Sequence, residues 1–212
     1  MANRLNYFLF VMVLISAGCS SNHQSGWIRQ AEQTHKWGYY SGFVEARWEN
    51  DGRNMTLLSE LRYTDPNGEI WVAPAGSKVD GASIPRSLWS IMGGPFEGKY
   101  RNASVLHDVA YTNHKRPSHD CDRMFYNAMR CSGVSAVEAG TMYYALCRFG
   151  HHWKFPIRRA QRPKPTELAA SPEQYPRAIP VNANQIDAAR DWIRSAEPSA
   201  EQIEQRANSE PH

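Results

Sequence analysis

The spacing of apolar residues changes once along this chain, at Gly93-Gly94-Pro95, and this change constrains the fold more than any other feature. Before it, stretches of β-branched and aromatic residues with partial alternation are separated by the turn signals Asn50-Asp51-Gly52 and Asp65-Pro66-Asn67-Gly68. After it, apolar residues recur at helical spacing. The sequence therefore predicts an α+β fold, in which a small antiparallel β-meander (strands within 37–48, 55–63 and 69–73) precedes a three-helix bundle.

Three helices are predicted after the change, over residues 102–113, 118–131 and 136–149. Lys115-Arg116-Pro117 separates the first from the second, and Ser132-Gly133 ends the second. Ser135-Ala136-Val137-Glu138 has the pattern of a capping box that opens the third. Because the turns are short, we expect antiparallel neighbours, including a hairpin built on the helix that carries His107-Asp108 and Tyr111.

The first 18 residues have the pattern of a signal peptide. Arg4 supplies a positive start, and residues 7–15 form an apolar run too short to span a bilayer. Ser16-Ala17-Gly18 then precedes Cys19, as lipoprotein signal peptidases require. We therefore expect a bacterial envelope lipoprotein held on a membrane by acyl chains on Cys19, with an ordinary secreted protein as the alternative.

The rest of the chain divides by composition. Ser20, rather than Asp, follows Cys19, which favours the outer membrane. The formal net charge of +3 gives no indication of a nucleic-acid partner. The predicted segments are a polar tether (19–36), a single α+β domain (37–160), a Pro-rich linker (161–182) and a C-terminal helix (183–207) that Pro198 interrupts.

Three cysteines remain once Cys19 is lipidated, in a compartment where disulfides persist. Counting outward from the turn at Gly133 places Cys121 level with Cys147 on the facing helix. Cys131 lies near the turn and faces neither. The sequence therefore predicts a Cys121–Cys147 disulfide, with Cys131 as a thiol.

His107 and Asp108 are the strongest candidates for chemistry. Adjacent helical residues point about 100° apart, so they could serve two points of one site, as a general base and as a ligand for a hard cation. Tyr111 lies one turn after His107, and Asp122 comes level with Tyr111 on the following helix. A catalytic cluster and a purely structural set of helix contacts both fit these positions.

The loop at Asp80-Gly81 could complete a cation site. Its glycine lets backbone carbonyls turn inward, and Asp80, loop carbonyls and Asp108 together could bind calcium. The alternative is a structural Asp-Gly turn that docks the loop on the helices. Ser83 lacks the Gly-x-Ser-x-Gly context of a nucleophile, and the spacing of the histidines matches no zinc pattern.

Two blocks carry a family resemblance. The run Val79-Asp80-Gly81-Ala82-Ser83-Ile84-Pro85-Arg86, followed by His107-Asp108 with Tyr111, resembles a bacterial and phage domain family of unknown function, the DUF1353 type, over about residues 71–153. Because that family has no settled activity, the resemblance implies a domain and no function.

A more distant resemblance is to secreted phospholipase A2, and especially to its short prokaryotic branch. It implies that His107 is the base that activates water, that Asp108, Asp80 and Gly81 bind calcium, and that Tyr111 and Asp122 support the histidine. The expected function is calcium-dependent hydrolysis of phospholipid esters. The alternatives are a non-catalytic envelope lipoprotein whose polar cluster is structural or binds a partner, and a metal-dependent hydrolase of another class. Val105-Leu106 replace the double cysteine of the animal enzymes, and the glycine-rich calcium loop is reduced to Asp80-Gly81.

Overall fold

The computed structural model describes residues 35–81, 83–84, 89, 93–94, 96–153 and 180–210. The predicted signal peptide, Cys19, most of the tether and most of the Pro-rich linker lie outside the described residues. Within the described part, no helix is both long and apolar enough to cross a bilayer.

The strands form two separate three-stranded antiparallel sheets. One has the order β1-β4-β5 and the other the order β2-β3-β6, so the prediction of a single meander is wrong, although the α+β class is confirmed. Apolar residues alternate inward as the sequence suggests, with Leu61 and Tyr63 buried and Arg62 exposed between them. The strands are β1 Tyr39–Ser41, β2 Ala46–Trp48, β3 Met55–Leu57, β4 Leu61–Thr64, β5 Ile70–Ala73 and β6 Lys78–Val79.

Three helices follow the sheets and correspond closely to the predicted ones: α1 Arg101–Asn113, α2 Ser118–Cys131 and α3 Ala136–Phe149. Helix α1 packs on β4, β5 and β6 on one side and on α2 on the other, and α2 also packs on α3. The Ser135 hydroxyl accepts a hydrogen bond from the Glu138 backbone N–H, which fixes the start of α3 where the capping pattern predicts it.

The C-terminal segment forms two helices, divided at the predicted interruption at Pro198: α4 Ala183–Ala196 and α5 Ala200–Ser209. Glu197 adopts a left-handed conformation (φ 46°) and Pro198 follows it, so the helix cannot continue. Ser199 then caps α5 in a capping box with Gln202. Both helices pack on α3 through buried residues that include Ile186, Ile193 and Ile203.

The predicted Cys121–Cys147 disulfide is not formed, because the three described cysteines are thiols. Counting residues along the helices predicts the position of Cys121 along the helix axis but not the direction of its side chain. Cys121 lines a small cavity with Leu106 and Ala110 of α1 and with Trp71 of β5, so it faces away from α3. The Cys131 thiol contacts the Gly38 carbonyl oxygen at 3.4 Å.

Candidate active site

The His107 imidazole is held at both ring nitrogens. Its Nε2 lies 2.9 Å from Oδ1 of Asp122, and its Nδ1 lies 3.1 Å from Oγ of Ser83. A carboxylate can only accept, so Nε2 carries the ring proton and Nδ1 is the acceptor for the Ser83 hydroxyl. Ser83, His107 and Asp122 therefore form a hydroxyl–imidazole–carboxylate chain between the loop after β6, α1 and α2.

Tyr111 supports the carboxylate end of this chain. Its hydroxyl donates to the same Oδ1 of Asp122 at 2.5 Å, as its position one turn after His107 predicts. Burial, followed by the charge of Asp122 and the hydrogen bond to it, raises the pKa of Tyr111 well above its ordinary value. The phenol therefore keeps its proton and remains a donor.

The rings around His107 fix its orientation. The Tyr111 and Phe125 rings lie 4.1 and 4.8 Å from it, centroid to centroid, and Trp153 packs edge-on against Tyr111 at 4.7 Å. His107 is fully buried and Asp122 is 1% exposed, whereas Ser83 is 7% exposed. Ser83 is therefore the least buried of the three residues, although it too is largely enclosed.

Asp108 docks the loop that carries Ser83 onto α1. Its Oδ2 accepts the backbone N–H groups of Asp80 and Gly81, at 2.8 and 3.1 Å, and its Oδ1 accepts the N–H of Ser83 at 3.1 Å. Three charge-assisted hydrogen bonds to one buried carboxylate fix the backbone of the loop. The Ser83 hydroxyl is therefore presented to His107 by the residue next to His107 in sequence.

The residues expected to hold calcium do not fit that ion as they stand. Both oxygens of Asp108 face N–H donors, and the Asp80 carboxylate is bound to the Arg53 guanidinium at 2.9 Å. Calcium needs six to eight oxygen ligands turned toward one point. The part of the chain that the structure describes contains no group of three or more acidic, His or Cys residues placed to hold a metal.

The second carboxylate oxygen of Asp122 is not used by this cluster. Oδ2 is buried and has no hydrogen-bond partner among the described residues, and Nε2 of His152 lies 4.0 Å from it. The His152 side chain is 41% exposed, and its Nε2 lies 3.1 Å from the Leu146 carbonyl oxygen rather than within hydrogen-bond distance of Asp122.

Ser83 is the member of the site that sequence reasoning missed. It lies 24 residues before His107 and lacks a nucleophile motif, so nothing local connects it with the histidine. The available signal was its place between Asp80-Gly81 and Ile84-Pro85, in the loop that was itself expected to reach the helix.

Residues 55–146 match the model of a family described as a protein of unknown function (DUF1353), which confirms the family resemblance seen in the sequence. The matched region contains both sheets in part and α1, α2 and most of α3. It therefore includes Ser83, His107, Tyr111 and Asp122, whereas His152 and Trp153 lie beyond it.

Two curated relatives from Sinorhizobium fredii (strain NBRC 101917 / NGR234) are also similar. The uncharacterized protein y4jT is 48% identical over 97 residues, which is 46% of this chain and 29% of the relative. The uncharacterized protein y4iH is 35% identical over 105 residues, which is 50% of this chain and 44% of the relative. The chain thus spans less than half the length of either relative. No solved structure gives a significant match.

Proposed function

We propose that the chain is an envelope lipoprotein that hydrolyses lipid esters at the Ser83–His107–Asp122 chain. The observation that carries this proposal is the His107 ring, bound to a carboxylate at Nε2 and to a hydroxyl at Nδ1, with the hydroxyl on the least buried of the three residues. This arrangement has the geometry of a nucleophile, its base and the group that orients the base.

Each group has one task in the proposed reaction. Ser83 Oγ attacks the ester carbonyl while its proton moves to His107 Nδ1, and the imidazolium that forms is stabilised by Asp122. The alkoxide leaving group then takes that proton from Nδ1, which leaves an acyl group on Ser83. Water attacks the acyl group, again through Nδ1, and releases the fatty acid. In this scheme Ser83 takes the place of the water that the phospholipase A2 resemblance assigns to His107.

No step of this scheme passes through calcium, because the contacts of Asp108 and Asp80 do not suit that ion. Calcium dependence stays a prediction of the phospholipase resemblance and is tested separately below. The proposal retains the antiparallel pairing of α1 and α2 within a three-helix bundle, since such a hairpin brings His107 and Asp122 to one level. The lipid substrate follows from the predicted anchor, because acyl chains on Cys19 would keep the site beside a membrane.

The test is fatty-acid release from phospholipid vesicles by the full-length chain. We expect Ser83→Ala and His107→Gln each to lower turnover by at least about 10³-fold, the order found when a member of such a unit is removed. Arg190→Gln, which removes an exposed cation of α4, serves as the control. Equal release by wild type and Ser83→Ala would refute the proposed nucleophile. Fatty-acid release that needs added calcium and is abolished by a chelator would restore the phospholipase A2 mechanism.

The anchor has its own experiment. Cys19→Ala should release the chain from the membrane fraction of expressing cells and abolish incorporation of labelled palmitate. Membrane association that is unchanged in Cys19→Ala would contradict the proposed lipid anchor, and it would leave the chemistry at Ser83 to be judged by the vesicle assay.

A second candidate function is favoured by the burial of the cluster. His107 and Asp122 are almost wholly inaccessible, and Asp108 binds three backbone N–H groups, so the same residues could act only to fasten the loop to α1 in a non-catalytic lipoprotein. Ser83→Ala distinguishes the two functions. A structural role predicts a loss of about 1 kcal/mol of stability from one hydrogen bond, with no ester hydrolysis by the wild type.

A further inference from the structure

A large cavity lies on a different face of α2 from the one that carries Asp122. Its volume is about 690 Å³, within the range of about 300–1,000 Å³ that is typical of small-molecule sites. Helix α2 contributes four polar residues at positions i, i+3, i+4 and i+7, which lie on one face. These residues are Arg123, Tyr126, Asn127 and Arg130.

Two of the four are largely buried residues whose polar atoms have no hydrogen-bond partner among the described residues. Tyr126 and Asn127 are 6% and 8% exposed, and neither side chain forms a hydrogen bond in the part of the chain that the structure describes. These polar atoms are not among the buried side-chain atoms without a partner, so they stay accessible from the cavity that both residues line. Both groups line the cavity, so a molecule inside it would supply their missing partner.

The cavity also holds an excess of positive charge. Lys36 and Arg130 lie 5.2 and 5.0 Å from the centroid of the Trp37 ring, and neither forms an ion pair with a carboxylate among the described residues. Arg130 donates from one nitrogen to the Val134 carbonyl oxygen at 2.7 Å, while its Nε is buried without a partner. Arg130 is half-buried, and this burial lowers the pKa of its guanidinium.

The remaining charges in the lining largely cancel. Arg123 is bound to Glu201 at 2.6 Å, and Arg194 is bound to Asp191 at 2.7 Å. Glu197 is exposed and is the other acidic residue of the lining. Among the described residues, neither Lys36 nor Arg130 therefore forms an ion pair with a carboxylate.

Two helices begin at the same cavity. Ala136 and Val137 open α3, and Ala200 and Glu201 open α5, and all four residues line it. The first N–H groups of a helix have no partner within the helix and carry a partial positive charge. The partial positive charges of these N–H groups add to the charges of Lys36 and Arg130. Together they favour the binding of an anion in the cavity.

We propose that this cavity binds a small organic phosphate monoester. A phosphate carries up to two negative charges, which matches the two unpaired cations, and its oxygens would accept from Tyr126 and Asn127. The volume exceeds that of a phosphate alone, and Trp37, Val137 and Ile193 give the cavity apolar walls for an organic body. This site is separate from Ser83 and does not depend on ester hydrolysis.

The test is isothermal titration of the full-length chain with two probes, sn-glycerol 3-phosphate and dihexanoyl phosphatidic acid kept below its micelle concentration. We expect saturable binding that Lys36→Gln and Arg130→Gln each weaken roughly tenfold to a hundredfold, as the loss of a charge-assisted hydrogen bond implies. Asn127→Asp, which places a negative charge in the cavity, should abolish binding. Arg190→Gln, which removes a cation from α4 outside the cavity, should bind like the wild type.

The outcomes separate the two sources of phosphate. Tighter binding of the phosphatidic acid identifies a lipid headgroup, and equal or tighter binding of glycerol 3-phosphate identifies a soluble ester. Absence of saturable binding with both probes overturns the proposal, and so does wild-type affinity in Lys36→Gln and Arg130→Gln. Lys36 is exposed, so its variant keeps the test valid even where a change on α2 impairs folding.

Discussion

At the scale of single residues, one oxygen of Asp122 receives both the His107 ring and the Tyr111 hydroxyl. The two donors hold the carboxylate in a fixed position, which in turn fixes which ring nitrogen of His107 carries the proton. The remaining nitrogen then points at Ser83. The direction in which a proton can move is thus set by a carboxylate that is itself almost inaccessible to solvent.

Removal of the Tyr111 hydroxyl tests this arrangement. We expect Tyr111→Phe to lower the free energy of unfolding by about 1–2 kcal/mol, because Asp122 loses a donor while it stays buried. Ester hydrolysis should fall several-fold without loss of the fold. Urea unfolding and fatty-acid release measure the two effects. Tyr126→Phe is the matched control, since its hydroxyl has no partner among the described residues, and its stability should change by less than about 0.5 kcal/mol. Equal losses in the two variants would contradict this role of Tyr111.

Asp108 and Asp80 lie close together, and replacing each in turn tests which of the two holds the loop that carries Ser83. Asp108→Asn replaces a carboxylate that binds three N–H groups, and we expect a loss of about 2–4 kcal/mol in urea unfolding together with reduced turnover, because the loop carrying Ser83 is loosened. Asp80→Asn weakens a partly exposed ion pair with Arg53, so it should cost less than about 1 kcal/mol. The reverse order of the two losses would show that the loop is held by Asp80 instead.

At the scale of elements, the helices could be predicted and the sheets could not. Proline, glycine and the Ser135 cap mark helix ends locally, so α2 and α3 match their predicted bounds. Strand pairing depends on residues distant in sequence: β1 pairs with β4 and β3 with β6, across intervening strands. The turn signals alone predicted that each strand pairs with the next strand in the sequence. The break at Pro198 could be predicted for the same reason as the other helix ends, because proline is a local signal that a helix cannot continue.

Gly140 tests how α4 and α5 pack on α3. A Cβ at this position would meet Ile203 Cδ1 at 3.1 Å and Ile193 Cγ2 at 3.2 Å. We expect Gly140→Leu to lower the free energy of unfolding by about 1–3 kcal/mol through overpacking, and to increase protease cleavage in the segment after α3. Asp191→Leu, on the exposed side of α4, is the control and should leave cleavage unchanged. Wild-type stability in Gly140→Leu would mean that the C-terminal helices do not pack there.

At the scale of the whole molecule, the buried thiols and phenols make the fold sensitive to alkali. Burial raises the pKa of Cys121 from 9.0 to about 12 and raises the pKa values of Cys147, Tyr63 and Tyr143. The unfolded chain loses these protons first, so stability is complete below about pH 9 and falls as the pH rises toward 12. Each group adds a slope of about 1.4 kcal/mol per pH unit.

Urea unfolding between pH 8 and pH 10 measures this slope. The Cys121→Ala, Cys147→Ala double variant should flatten it, because the tyrosines contribute only above their unfolded pKa of about 10. An equally steep fall in the double variant would contradict the assignment to these thiols.

Part of the candidate site could be predicted because it follows from helix geometry. Tyr111 lies one helical turn after His107. The short connection to the next helix then brings Asp122 level with Tyr111. The contact between Ser83 and His107 could not be predicted, because it forms only when Asp108 binds the loop that carries Ser83. The sequence alone does not show which way the Asp108 carboxylate points from its helix. The same limit explains the wrong disulfide, since level positions on two helices do not specify facing side chains.

The central claim, that Ser83 is a nucleophile activated by His107, is tested most directly by covalent labelling. The full-length chain is incubated with a fluorophosphonate and the modified peptide is identified by mass spectrometry. We predict a phosphonyl adduct on Ser83 in the wild type and a rate of labelling at least about 10³-fold lower in His107→Gln. Absence of the adduct from Ser83, or labelling at the same rate in both proteins, would contradict the claim.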